Sequence, residues 1–492
     1  MCVEADSKAA KASTSPTGIL ESVFDRSWFQ RMWTIQEVAL AQNKVVMCGS
    51  TTIEWDDLYM GLDTISVRKA LGKPSAKEEE TFDSSLACQV SFESLLRRRR
   101  NAERLQRPGE GILDPPKLST LLHDARRQET TNPKDVIYGI YSLLLAVDIH
   151  LPTPDYSKSV EQIYIEAAEK ALLQHHSLEL LYQVASSRKF PDLPSWVPSF
   201  NESRFYYPYW NPAQFACSKT SPPTFELQEG RRLSVRGKFI DKITSCAKTV
   251  PGWNESEEFA FIDNMGRDAG FQDLFEPQVK AYREWTRMAG CLKSYPTGES
   301  VTKALSRTLV HDRANRPESS FYNRNRKWSA ESFTEGFENW YAAVTVGTDG
   351  HVSLEFITAV VDLLPKHNRK SAWKLFNENE KQDPKKVTES LTYKIIVMLG
   401  ANYHTGTYAY FVQTRLRESR FVITKHGYMG TAPPMAKVGD GIFLVSGLSL
   451  PMLVRQQEDG ANILIGPAYV HGIMDGEKWP EDEAELEWIT LS

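Results

Sequence analysis

Apolar positions recur at helical spacing from Trp28 onward. Trp28, Met32, Ile35 and Ala39 form one stripe, and Phe29, Trp33, Gln36 and Leu40 run beside it, so a helix apolar over much of its surface is expected. Residues 44–48 (KVVMC) form a short β-branched run closed by Gly49, which predicts a strand. Residues 51–61 read as a turn into another helix with Trp55 and Leu58 facing inward. A further helix begins at 118–122, and residues 136–147 form a strongly apolar one after Asn132-Pro133. The clearest helical pattern follows Asp155-Tyr156-Ser157, where Val160, Ile163, Tyr164, Ala167, Ala168, Ala171 and Leu172 share a face. Ser157 or Ser159 can cap its start, and Glu161 lies in the first turn, where the helix dipole favours a carboxylate.

Prolines and aromatics crowd residues 190–223, which favours an extended seam between two bodies. Beyond it, Leu233 and Val235 alternate with polar residues, and residues 239–243 continue as strand. Residues 257–395 return to helical composition, broken by a polar loop from His311, and 420–475 is strand-and-turn sequence. The fold class expected is α+β: an α-rich front followed by a small antiparallel sheet or barrel with a helical insertion. The divisions expected are a disordered tail over 1–24, the α-rich domain over 25–200 and a Pro/aromatic linker over 201–229. They continue with a β domain over 230–256 and 396–478, the insertion over 257–395 and an acidic tail over 479–492.

With 492 residues, 41% hydrophobic and 25% charged, the chain has the composition of two to four globular domains. A net charge of −5 supplies no global basic field for nucleic acid. The four arginines 97–100 are flanked by Glu93, Glu103 and Glu110 and read as a solvated helix end. No run of eighteen apolar residues predicts a membrane span, and the polar N-terminus does not read as a secretory signal, so a cytoplasmic location is expected. The six cysteines are scattered without a C-x-x-C pair, which argues against a zinc site or a disulfide framework.

Nucleotide-binding glycine loops, H-E-x-x-H and G-x-S-x-G are all missing. Adjacent His175 and His176 point in different directions on a helix and make a poor metal site, whereas His404, His426 and His471 are candidates to flank a site in the terminal sheet. Cys48 reads as a structural thiol rather than a nucleophile. The most pointed feature is Trp28-Phe29-x-Arg31-Met32-Trp33-x-x-Gln36-Glu37. Two readings of Glu37 stay open: an acid enclosed by tryptophans that grips a ligand, and a buried helix residue tied by hydrogen bonds to its neighbours.

The stretch DRSWFQRMWTIQEVALAQNKVVMCGS resembles the second half of the HET (heterokaryon incompatibility) domain of filamentous fungi, whose pattern is W-F-x-R-x-W-x-x-Q-E. TNPKDVIYGIYSLL (132–144 at its core), PDYSKSVEQIY (154–164), LPSWVPSF (193–200) and the terminal run 436–477 follow in the family's order. Nothing before Trp28 resembles the family's opening strands, so a HET domain lacking its N-terminal half is expected, with the first helix and strand packed on the 118–175 helices instead. The resemblance implies fungal non-self recognition and programmed cell death through protein contacts. HET domains are viewed as distant relatives of TIR domains, some of which cleave NAD. On that similarity Glu37 is the catalytic acid, with Trp28, Arg31, Trp33 and Gln36 around the ligand. A third implication is a family member recruited to small-molecule chemistry near Tyr206, Tyr207 and Trp210. No metal and no cofactor are expected; a protein partner is, with a small-molecule or nucleotide ligand as a further candidate, and without nucleic acid.

Overall fold

The computed structural model describes residues 2–3, 27–41, 43–48, 51–58, 116–126, 128–184, 190–202, 212–250, 272–312, 330–345, 408–409, 411–412, 415–458 and 460–492. The expected first helix is two helices, α1 (Ser27–Gln30) and α2 (Met32–Leu40), separated by Arg31 in an extended conformation. The cause is tertiary. Arg31 forms an isolated parallel bridge with Glu129, in which the Met32 N–H donates to the Glu129 carbonyl (3.1 Å) and the Glu129 N–H donates to the Gln30 carbonyl (2.7 Å). Those two backbone groups are therefore satisfied outside the helix ladder.

A three-stranded sheet follows, with β1 (Cys2–Val3) parallel to β2 (Val45–Cys48) and β3 (Thr51–Glu54) antiparallel on its other side. The tail expected over 1–24 thus contains a strand, because a two-residue edge pairs through backbone alone and needs no apolar run. Helices α3 (Leu118–Ala125), α4 (Asp135–Tyr138), α5 (Tyr141–Ala146) and α6 (Val160–Gln174) follow among the described residues of the front. The apolar run at 136–147 is broken between α4 and α5, where Ile140 leaves helical geometry. At α6 the Ser159 hydroxyl accepts the Gln162 N–H and the Gln162 side chain returns to the Ser159 N–H, a complete capping box. Met32, Ile35 and Ala39 of α2 share a core with Leu122, Leu144 and Tyr164, so the first helix packs on the later ones, while the strand expected to do the same, β2, pairs with β1 and β3.

The second half is built on β5 (Arg232–Cys246), a fifteen-residue strand. Its first part pairs with β4 (Phe225–Gln228) and with β12 (Glu487–Leu491), its middle with β8 (Gly441–Val445) and its end with β6 (Arg420–Thr424). Register shifts at 239/241 and 243/245 bend it between these partners. From β8 the pairing runs to β9 (Met452–Gln456) and β10 (Asn462–Pro467), while β6 leads to β7 (Met429–Ala432) and β11 (Tyr469–Val470). β10 meets β12 in the single parallel pair Asn462↔Leu491, so the ring of strands has one thin seam and the barrel is not closed. The small antiparallel sheet expected is therefore a nine-stranded mixed one.

Two boundaries differ from the sequence expectation. Residues 225–228 were expected in the linker and form β4; residues 487–491, expected in the acidic tail, form β12. In β12 the outer positions Glu487 and Trp488 face solvent while Ile489 and Leu491 are buried against β5. Among the described residues, helices α7 (Gln272–Gly290), α8 (Val301–Leu309) and α9 (Ala330–Thr345) lie between β5 and β6 and share a second core with the sheet, where Trp285 stacks on Phe421 at 5.4 Å.

Candidate functional site

The family-like landmarks before residue 201, scattered in sequence, meet in the front body, whereas the terminal run 436–477 supplies β8–β11 of the sheet. Phe29 is fully buried, edge-on to Trp28 (4.8 Å) and stacked on Trp55 (6.5 Å). A side chain at Gly139 would stand 2.3 Å from Met32 Cγ, so glycine there leaves room for Met32 in the core. The Thr34 hydroxyl donates to the Arg31 carbonyl at 2.6 Å, inside the break between α1 and α2. The other face of α2 is open: Trp33 is 37% exposed and Glu37 is exposed one turn away, with Gln36 and Trp28 half-buried and the Arg31 side chain exposed. Glu37 therefore stands at the surface. It is neither enclosed by tryptophans nor buried among neighbours, as the two sequence readings had it.

The 132–135 and 155–158 segments form one knot. Tyr138 Oη donates to the Asp155 carbonyl (2.9 Å) and accepts the Asp155 N–H (3.0 Å), Tyr156 Oη donates to Asp135 (2.7 Å), and Lys134 Nζ donates to the Tyr156 carbonyl (2.7 Å). Burial and the bond to Asp135 push the Tyr156 phenol up to about 12. Bonds from the Ser157 hydroxyl and N–H hold the Asp155 carboxyl below its ordinary value.

LPSWVPSF, expected within an extended seam between two bodies, is buried throughout. The Arg126 guanidinium, itself buried, donates to the carbonyls of Gln183 (3.2 Å) and Ser199 (3.1 Å). Burial lowers it to about 10, which leaves it charged at neutral pH. Trp196 Nε1 donates to the Arg231 carbonyl (3.0 Å), and Ser195 reaches both the carbonyl of Ser492 and the N–H of Leu464. This motif therefore joins the front helices to the sheet.

Tyr206, Tyr207, Trp210 and His404 lie outside the described residues. The other two candidate histidines have separate partners. His426 Nδ1 is 3.0 Å from Asp241, and its ring is exposed, whereas His471 is buried against Glu299 at 2.7 Å. Sequence spacing gives no sign of the second pair, because Glu299 sits in the insertion and His471 in the sheet. Among the described residues no cluster of three or more His, Cys, Asp or Glu is arranged to hold a metal, and no helix is long and apolar enough to cross a membrane.

A helical front carrying these motifs, joined to a long-stranded sheet that bends towards a barrel, defines a HET-type architecture. The model of the Het-6 beta-barrel domain matches residues 233–487, more than half the chain, and the protein belongs to that family. It is also 22% identical to heterokaryon incompatibility protein 6, OR allele, of Neurospora crassa, over 94% of this chain and 66% of that protein. The chain thus spans just under two thirds of the length of this relative. No solved structure matches it.

Proposed function

We propose that this protein acts in heterokaryon incompatibility, as a cytoplasmic component of fungal non-self recognition that triggers cell death through protein contacts. The observation carrying this reading is the likeness to the Neurospora incompatibility protein along nearly the whole chain. The surface around the family-like motif supports it. Trp33 and Leu40 of α2 and Val45 and Met47 of β2 are large apolar side chains left exposed, and apolar and aromatic groups of this kind dominate contact surfaces. Induced expression in a filamentous fungus tests the reading: growth arrest is expected with the natural chain, and survival with Trp33→Ala plus Met47→Ser at matched protein level. Normal growth on expressing the natural chain would overturn autonomous toxicity.

A second reading rests on Trp33 and Glu37 sharing one exposed face, with Glu37 as the acid of a TIR-like NAD-cleaving site. Nicotinamide release by the purified protein, lost in Glu37→Gln, is the outcome it requires.

A further inference from the structure

The helical insertion meets the short edge of the sheet through a connected set of polar groups, built around two buried imidazoles, that the proposed function leaves unused. His471, just after β11, is its centre. Its Nε2 lies 2.7 Å from Glu299 Oε1 and its Nδ1 lies 3.2 Å from Tyr469 Oη. An ionised carboxylate only accepts, so Nε2 carries the proton and Nδ1 accepts from the tyrosine hydroxyl; a neutral imidazole satisfies both contacts. Tyr295 Oη donates to the His471 carbonyl (2.8 Å), and its ring stacks on the imidazole at 5.6 Å.

The surrounding charges are already matched. Glu299 also accepts from the Thr297 hydroxyl (2.9 Å) and from Arg307 Nη1 (3.1 Å), and Arg307 grips Asp312 through Nε (2.7 Å) and Nη2 (2.9 Å). Burial pushes the Glu299 carboxyl up, but its bonds from His471, Thr297 and Arg307 outweigh that and hold it below its ordinary value. A second imidazole, His311, stacks on the other partner of the chain, the Tyr469 ring (4.6 Å), and meets the Thr431 hydroxyl of β7 through Nε2 (2.8 Å). Tyr428 packs edge-on to Tyr295 with Lys478 over its ring, and Arg415 acts on His311 electrostatically.

We propose that this cluster is a proton-operated clasp: with His471 and His311 neutral it holds α8 and its preceding loop against β7 and β11, and protonation in mildly acidic solution releases them. A proton on Nδ1 of His471 turns that nitrogen from acceptor to donor at the Tyr469 hydroxyl, and a charged His311 would sit buried near Arg415. Burial is the largest influence on both imidazoles and lowers both, His311 further, with Glu299 only partly offsetting it at His471. A base held below its unfolded value of about 6.5 stabilises the closed state fully above that pH, and the contribution is lost as pH falls.

Hydrogen exchange of the full chain, corrected for intrinsic rate and compared at pH 7.5 and 5.5, tests the clasp. Protection at 295–312, 429–431 and 469–474 should fall by up to about tenfold per histidine, while β8–β10 keeps its protection. His471→Gln retains an N–H for Glu299 but cannot be protonated, so the local step should shrink; His426→Gln, at an exposed ring, should leave it intact. Glu299→Gln removes the charge that favours the imidazolium and should enlarge the step, which keeps the test decisive if His471→Gln fails to fold. An unchanged step in Glu299→Gln, or in His471→Gln and His311→Gln alike, overturns the proposal, as does a loss of protection spread evenly over the chain.

Discussion

Tyr182 Oη accepts the backbone N–H of Ser449 at 2.6 Å, linking the 3-10 turn Glu179–Gln183 of the front body to the loop between β8 and β9. Around it, Leu180 and Leu181 share one core with Leu448, Leu450 and Met452, so the helical front and the sheet are packed as a unit. Tyr182→Phe keeps the ring but leaves the Ser449 N–H without this acceptor. A loss of about 1–3 kcal/mol is expected, read as a lower midpoint in urea. Near-UV and far-UV circular dichroism should still fall together, because the two halves have a common core.

Arg126 bridges two carbonyls that belong to different segments, Gln183 and Ser199. Arg126→Met should destabilise the protein by about 3 kcal/mol, since both buried acceptors lose a charged donor. Arg126→Lys should recover only part of this, because an ammonium lacks the planar fork that reaches both oxygens. Thermal unfolding of the three proteins checks the order.

Gly237 lies where β5 passes from β12 to β8, and a Cβ there would stand 2.4 Å from the Leu444 carbonyl oxygen. The β8 backbone at Leu444 and Val445 cannot move aside cheaply, so Gly237→Ala should cost about 2 kcal/mol or more. Gly290, at the end of α7, has nothing within 4 Å of its added Cβ. Gly290→Ala should be neutral or stabilising by up to about 1 kcal/mol. A lower urea midpoint for Gly237→Ala and an unchanged or higher one for Gly290→Ala are the expected result.

Burial pushes the Asp241 carboxyl up, but bonds from the Thr424 hydroxyl and the N–H groups of His426 (3.0 Å) and Lys242 (2.8 Å) outweigh it and hold it below its ordinary value. A carboxyl depressed in the folded state stabilises above its unfolded value of about 3.8–3.9 and loses that contribution as pH falls through the folded one. The natural chain should therefore lose stability steeply below pH ~4, and Asp241→Asn should be less stable at pH 7 with a flatter acid limb. Urea unfolding across pH 3–7 measures both.

Glu37 is exposed, so Glu37→Ala should leave the unfolding midpoint where it is. Calorimetry beside the growth assay checks this, and an unchanged midpoint makes any altered growth a matter of contacts or chemistry at the surface of α2.

Several local patterns were readable, although residues 51–54, expected as a turn, form β3 beside β2. The candidate caps Ser157 and Ser159 and the apolar face of Val160–Gln174 announce a helix because both act within a few residues, and the alternation of Leu233 and Val235 announces a strand for the same reason. The α+β class and the family follow from such stretches together with the ordered motifs. The break at Arg31 was hidden, because its cause is the backbone of Glu129. β12 was hidden too: its acidic approach outweighs Ile489 and Leu491 in composition, and its partner, Leu233–Gly237 in register, stands at the other end of the sheet domain. The site followed the same division. Spacing put Trp33 and Glu37 on one face of a helix, but which face meets water was set by where Met32, Ile35 and Ala39 find their core. The pairing of Glu299 with His471 had no sequence signal at all, since it exists only where the insertion folds back on the sheet and buries the imidazole against a half-buried carboxylate.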